Sequence, residues 1–349
     1  MNEELLDFME LKRKPEFNIM TDMLIVLLIA AVVSVYYYGF RAAAVIAVTV
    51  FVSVAADFVC LRLRKKEHDR KDLSALLTGL TLGLMMSASV PYLEAAAAAI
   101  FAAVAAKHAF GGHGCEIFNP AAVGFLFASL CFPENMLTYP RIFTDIPMSP
   151  VVPSDILSQS MTKTFILTGT SSVSLIDILV GRFIGPMGTG FIVLLVVIAV
   201  FLMVRRSISA IAFFTELAVM GLYAFIRYNF NPMSVLYFFA GGMTLFGMIF
   251  LSCDYSVIPK TASSRFLYGL TVSVCMIMFC QYSGTENAIV YASIVSSPIG
   301  IELDRRALSF ADMLKKRRRG KRRRKNKNNL LGSISETLEM LDNDDKRES

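Results

Sequence analysis

Residues Lys107–Gly124 read KHAFGGHGCEIFNPAAVG and lie between two long apolar runs in a chain of mostly apolar character. Backbone N–H and C=O groups at bilayer depth find no water. Irregular chain rich in glycine is therefore stable there only when it is buried in protein or lines a cavity. Gly111, Gly112 and Gly114 permit sharp turns and close backbone approach. Asn119 followed by Pro120 fits an N-cap and the first helical position of a following helix. A helix that starts inside the membrane offers free N–H groups and partial positive charge to an anion or a polar ligand. The stretch is a candidate site on these grounds; the plain alternative is a tight turn between two spans.

Working outward, 55% of the 349 residues are hydrophobic and only 18% are charged. With a mean hydropathy of +0.57, this is more apolar surface than a soluble core hides. The composition implies an all-α polytopic membrane protein. Apolar runs near the roughly 20 residues that a bilayer core demands centre on 19–39, 41–61, 73–90, 93–110, 119–132, 188–204, 207–226, 232–253, 266–281 and 286–303, about ten spans. The fifth and tenth are short and contain proline, which predicts broken or re-entrant helices. Five segments follow: 1–18 ahead of the first span, 19–132 as a first five-span half, 133–187 as a long loop, 188–304 as a second five-span half, and 305–349 as a tail.

Basic residues set the orientation. Lys12, Arg13 and Lys14 precede the first span, six Lys and Arg fall within 62–71, and Arg205 with Arg206 ends the sixth span, whereas 133–187 has only Arg141, Lys163 and Arg182. Both termini are expected on the cytoplasmic side of the cell membrane, with the long loop outside. The tail carries KKRRRGKRRRKNK at 315–327, then acidic residues from Glu336 to Glu348. Such a run suits anionic lipid headgroups. No aromatic residues interleave it, so nucleic acid is not expected as a partner.

The six cysteines show no CxxC spacing, and His108 and His113, separated by Gly111 and Gly112, make a poor metal pair, so no metal site is expected. Among polar residues within spans, Glu216 is the candidate for an ion path, since charge in hydrocarbon usually faces an interior or a watery path. Asp57 is expected to reach toward the basic 62–71 loop. Asp254, in CDYSVIP, is read as a helix-ending residue with potential as a site.

Four motifs carry a resemblance: LLTGLTLGLMMSASVP at 76–91, the glycine stretch at 107–124, LYFFAGGMTLFGMIFLSCDYSVIP at 236–259 and SIVSSPIGIELDRR at 293–306. Their order resembles the D subunits of Rnf-type electron transport complexes and the B subunits of the sodium-pumping NADH:quinone oxidoreductases. The resemblance implies two inverted five-helix repeats and an FMN-carrying subunit that passes electrons across the membrane while the complex moves Na+ or H+. It also implies partner subunits, membrane and peripheral. In that family the FMN phosphate is esterified to a threonine of a Ser-Gly-Ala-Thr-Pro-Leu-Asp type motif. Here the region reads LTGTSSVSLIDIL at 167–179. One register makes Ser174 the acceptor and another Ser171, and neither keeps the acidic residue three places before it. Covalent and noncovalent flavin both stay open. Gly185 and Gly188 match the glycine pair beyond the motif, and the resemblance makes 111–119 a cofactor-lining and subunit-contact element. The alternatives are a flavin-free transporter-like protein of the same architecture and a scaffolding subunit.

Overall fold

The computed structural model describes residues 16–65, 72–149, 152–169, 173–241, 243–283, 286–307 and 309. The chain divides into two units, Lys12–Leu303 and a second made of Met1–Leu11 with Asp304–Ser349. Of the second unit only 304–307 and 309 are described, and 304–307 are helical. The polybasic run, the acidic residues after it and Ser171 lie outside the described residues.

The larger unit is helical apart from one two-stranded antiparallel ribbon, β1 (Tyr139–Pro140) with β2 (Leu157–Ser158). The stretch Glu16–Leu63 is two helices, α1 (16–38) and α2 (40–63), that meet at Gly39, where φ is 70° and ψ −162°. Each arm exceeds the about 20 residues needed to cross a bilayer core. Val32, Tyr36, Phe40 and Phe51 stand exposed on them, as expected of faces that meet lipid rather than water. The helix α3 (Ser74–Met85) is the opposite case, buried at every position but Leu76. Its glycines explain how it fits: a Cβ at Gly79 would stand 2.6 Å from Val50 Cα, and one at Gly83 3.2 Å from Ile46 Cα. Small residues four apart let the two backbones touch, the usual device of packing within a membrane.

Next come α4 (Tyr92–Phe101), continuing as a π-helix over Ala102–His108, then α5 (Pro120–Cys131) and the single turn α6 (Pro133–Met136). The long loop carries α7 (Met161–Thr168) and α8 (Leu175–Val180). After it run α9 (Ile192–Val204), α10 (Ala210–Arg227), α11 (Pro232–Ala240), α12 (Thr244–Gly247) with a π-helix over Met248–Ser252, α13 (Ala262–Ser283) and α14 (288–303). Phe17–Leu63, Ala210–Arg227 and Ala262–Tyr282 are long and apolar enough to cross a membrane, and the bent pair Pro232–Ala240 with Thr244–Ser252 makes a fourth if it is one span. The chain is thus a multi-pass membrane protein.

The breaks fall elsewhere than the prolines suggest. Among the described residues α5 and α14 are continuous: Pro120 occupies the first turn of α5, where its missing N–H is harmless, and α14 runs through Pro298 unbroken. The interrupted helix is the eighth apolar run: α11 and α12 are bent by 64° just after Gly241. The third run also stops early, at Met85 rather than Val90, because Arg41 reaches into the chain beyond it. Its guanidinium donates to the carbonyls of Ala88, Ser89 and Val90, and to those of Pro147 and Ser149 in the long loop. The loop is further seated by Met187 N–H on the Met86 carbonyl (3.1 Å) and by Ser34 Oγ on the Met187 carbonyl (2.8 Å).

Candidate functional site

Asn119 caps α5 as expected: its Oδ1 accepts from the N–H groups of Ala121 (3.0 Å) and Ala122 (3.3 Å). Its Nδ2 points the other way, donating to the Phe250 carbonyl (3.1 Å) and to Asp254 Oδ2 (3.0 Å). Phe250 belongs to the π-helical turn Met248–Ser252, a distortion that frequently marks functional positions. Asp254 also accepts from Ser256 Oγ (2.8 Å). Around this contact lies a pocket of about 40 Å³ whose walls include Ser74, Thr78, Thr81, Glu116, Asn119 and Asp254. At about 10–15 Å³ of such volume per water molecule, it admits a few waters or a small ion and no flavin ring.

Two carboxyl groups in this pocket lie outside the spans and both hold protons more tightly than usual. Burial pushes Glu116 up to about 8; Lys107 opposes this, while Asp254, Asp72 and Asp57 reinforce it. Burial likewise raises Asp254 to about 6, against the hydrogen bonds from Ser256 and the N–H of Tyr255 and the charge of His113. His113 Nδ1 stands 4.0 Å from Glu116 Oε1. The glycine loop delivers His113 and Glu116: Gly111, Gly112 and Gly114 all have positive φ, at 132°, 97° and 82°. The turn is tight, and it is also a wall of the pocket.

Beside it lies a charge network that the sequence reading missed. Asp57 is 3% exposed, and its Oδ1 is shared by Lys107 Nζ and His108 Nε2, each at 2.7 Å; residues 66–71 of the basic loop lie outside the described residues. The π-helix at the end of α4 presents Lys107 and His108 together. Lys107 also donates to Ser74 Oγ (2.6 Å) and stands 3.9 Å from Asp72 Oδ2. Burial works against the charge of Asp72, yet Lys107 and Ser74 hold its carboxyl below its ordinary range. A carboxylate and an ammonium in neighbouring spans are costly unless paired. That rule alone could have joined Asp57 to Lys107 rather than to solvent.

In the long loop Ser174 is exposed and caps α8. Its Oγ accepts from the Asp177 N–H (3.2 Å) and donates to Asp177 Oδ2 (2.7 Å). One residue earlier, the Val173 carbonyl accepts from Tyr237 Oη (3.0 Å). Tyr237 and Tyr228 pack on Phe165 with ring centroids 5.8 and 4.6 Å away, and Gly169 rests on the Tyr228 ring. Tyr228 in turn lines a cleft of about 250 Å³ with Ile166, Tyr223, Arg227, Phe238, Cys280 and Gln281. Gly185 and Gly188 serve the seating of the loop: the Gly185 carbonyl accepts from Tyr38 Oη (3.0 Å), and a Cβ at Gly188 would stand 2.8 Å from Leu84 Cβ. Glu216 is fully buried, with Oε2 accepting from Ser252 Oγ (2.7 Å).

A membrane protein with an interrupted helix, π-helical turns and a buried polar pocket between distant parts of the chain has the build of a translocating or electron-carrying subunit. Comparison with known proteins gives the particular family. Residues 12–299 match the NQR2, RnfD, RnfE family, and the chain belongs to it. It is 24% identical over 298 residues to the D subunit of the proton-translocating ferredoxin:NAD(+) oxidoreductase complex of Clostridium ljungdahlii, covering 82% of this chain and 89% of the relative. It is 26% identical over 275 residues to the D subunit of the Na(+)-translocating ferredoxin:NAD(+) oxidoreductase complex of Acetobacterium woodii, covering 79% and 84%. A third relative, the D subunit of the ion-translocating oxidoreductase complex of Actinobacillus succinogenes, is 25% identical over 305 residues, covering 77% and 85%.

Proposed function

We propose that this chain is the membrane-embedded, flavin-carrying subunit of an Rnf-type ion-translocating electron transport complex, built as two inverted five-span halves with both termini in the cytoplasm. The relatives are named as subunits of such complexes, so further membrane and peripheral subunits are its partners. The polybasic tail serves as an anchor on anionic lipid. The relatives' names divide between proton and sodium, so they support an ion-translocating complex without favouring either ion.

The observation that carries the flavin reading is the cleft lined by Tyr223, Tyr228 and Phe238, which Phe165 and Tyr237 link to the Val173 carbonyl, one residue before Ser174. Tyr223, Tyr228 and Phe238 offer aromatic rings to a planar ligand, and Arg227 and Gln281 offer polar contacts in the same lining. Ser174, exposed and adjacent to the segment that Tyr237 pins to this aromatic floor, has a hydroxyl able to form a phosphoester once it gives up Asp177. FMN bound here would supply a carrier that accepts electrons singly or in pairs. The chain's own residues would bind it, orient it and exclude water. A second reading, a flavin-free protein that acts as a transporter or a scaffold, draws on the same serine: its hydroxyl is already engaged as a helix cap.

The test is the denatured chain after co-expression with a flavin transferase. Retained flavin fluorescence that Ser174→Ala abolishes and Ser171→Ala leaves intact supports attachment at Ser174, and the reverse selects Ser171. Flavin held only by the native chain, and released when Tyr228→Ala is introduced, supports noncovalent binding in the cleft. A colourless native chain, prepared with flavin and partner subunits present, sinks the flavin reading.

A further inference from the structure

The π-helical turn Met248–Ser252 has two sides. On one, the Phe250 carbonyl accepts from Asn119; on the other, Ser252 Oγ donates to Glu216. Glu216 is 0% exposed, and its second oxygen, Oε1, has no hydrogen-bond partner. Across from it, α13 packs tightly on α10: a Cβ at Gly269 would stand 3.0 Å from the Ala212 carbonyl and 3.2 Å from Thr215 Cβ. That contact brings in Tyr268, itself 0% exposed, whose hydroxyl lies beside Ser297 without a hydrogen bond of good geometry. The hydroxyl is within electrostatic reach of Glu216. The titratable groups within electrostatic reach of Glu216 are Tyr268 from α13 and Cys253 at the end of the π-helical turn, and Asp254 acts on both of these.

We propose that Glu216, Ser252 and Tyr268 form a buried station for a monovalent cation, a proton or Na+, one π-helical turn away from the Asn119–Asp254 pocket. A carboxylate inside a membrane protein requires a compensating cation or takes up a proton, and the three groups here all offer oxygen, the ligand type that suits a hard cation. The unpartnered, fully buried Oε1 of Glu216 is the place such a cation or a proton would satisfy. The shared turn gives the station its use. A shift of Met248–Ser252 that alters the Phe250–Asn119 bond also alters the Ser252–Glu216 bond, so occupancy on one side is felt on the other. The transport role rests on the ion-translocating reading above; the binding itself does not.

The experiment uses the purified full chain in detergent and records infrared difference spectra between sodium and choline media, then between H2O and D2O. For Na+, a sodium-induced carboxylate change is expected that Glu216→Gln removes. Tyr268→Phe would move that change to sodium concentrations about tenfold higher, the usual effect of losing one supporting group at a cation site. For a proton, a protonated-carboxyl band insensitive to sodium and shifted by D2O is expected, and Glu216→Gln removes it. A folded Glu216→Gln chain that keeps all wild-type bands overturns the proposal. Should that variant fail to fold, Tyr268→Phe and Ser252→Ala decide, and wild-type bands in both overturn it equally. A chain that stays colourless when prepared with flavin and partner subunits, yet still shows the Glu216 signal, defeats the flavin reading and leaves this one standing.

Discussion

Asn119 Nδ2 donates to Asp254 Oδ2 at 3.0 Å, across 135 positions of sequence. Because the Oδ1 of the same side chain caps α5, the start of that helix and the end of the interrupted one share a single amide. Asn119→Ala therefore removes a cap, worth about 1 kcal/mol, and takes one donor from the Phe250 carbonyl and one from Asp254, which keeps Ser256, for a total of about 2–4 kcal/mol. The melting temperature of the full chain in detergent should drop accordingly. Asn119→Asp keeps the cap, loses the donor and sets a second carboxyl beside Asp254, so it should be more destabilising in alkaline than in acidic buffer. Equal effects of the two variants at every pH would show that the lost Nδ2 donor matters and the cap does not.

The glycine loop separates crowding from backbone strain. At Gly112 the nearest atom to an added Cβ is His108 Nδ1 at 3.9 Å, and at Gly114 nothing lies within 4 Å. Space is available, while the positive φ values of 97° and 82° are the obstacle. Asn, which visits positive φ more readily than branched residues, should be tolerated better than Val at both positions, with Val costing about 1–3 kcal/mol more. Expression and melting of Gly112→Asn, Gly112→Val, Gly114→Asn and Gly114→Val give the comparison. Identical behaviour of Asn and Val would mean that the loop adapts.

What the sequence displays and what it conceals divide along range. The cap and proline at 119–120 are local chemistry, and the helix begins there as read. The multi-pass class follows from composition, and a buried Glu216 from the cost of charge in hydrocarbon. The break at Gly241 was also within reach, since Gly241 and Gly242 adjoin in the sequence, but the prolines drew attention to other spans. The pairing of Asp57 with Lys107 and His108, and of Asn119 with Asp254, joins residues whose proximity is set by how helices stack. No periodicity encodes that. The aromatic cleft is assembled from α7, α10, α11 and α13, and its walls read singly as ordinary apolar helix faces.

The buried network around Asp57 predicts a non-additive pair. Lys107→Met leaves Asp57 with His108 alone in a buried site, which should cost about 3–5 kcal/mol, the usual penalty of stranding one member of a buried ion pair. Adding Asp57→Asn removes the stranded charge and should recover a substantial part of that loss, so the double variant should be more stable than Lys107→Met by itself. Melting of the four chains in one detergent and buffer closes the cycle. Strict additivity would show that Lys107 acts through Ser74 or Asp72 instead.

The carboxyl groups of the pocket predict how stability follows pH. Glu116, raised to about 8, and Asp254, raised to about 6, bind protons in the folded chain that the unfolded chain has already released. Their contribution is therefore complete below their ordinary carboxylate values and is lost as pH rises, through about 6 for Asp254 and then about 8 for Glu116. Asp72, held below its ordinary range, works in the opposite sense, contributing above its ordinary value and failing only as the medium turns strongly acidic. From about pH 4 to about pH 8 the melting temperature should consequently fall as pH rises, the part due to Asp254 ending near pH 6. Glu116→Gln should flatten the upper part of that slope and leave the part due to Asp254, while Asp254→Asn should do the reverse. The measurement is melting of the three chains in a buffer series at constant ionic strength. A Glu116→Gln profile that keeps the full wild-type slope would show that Glu116 is not the group titrating there.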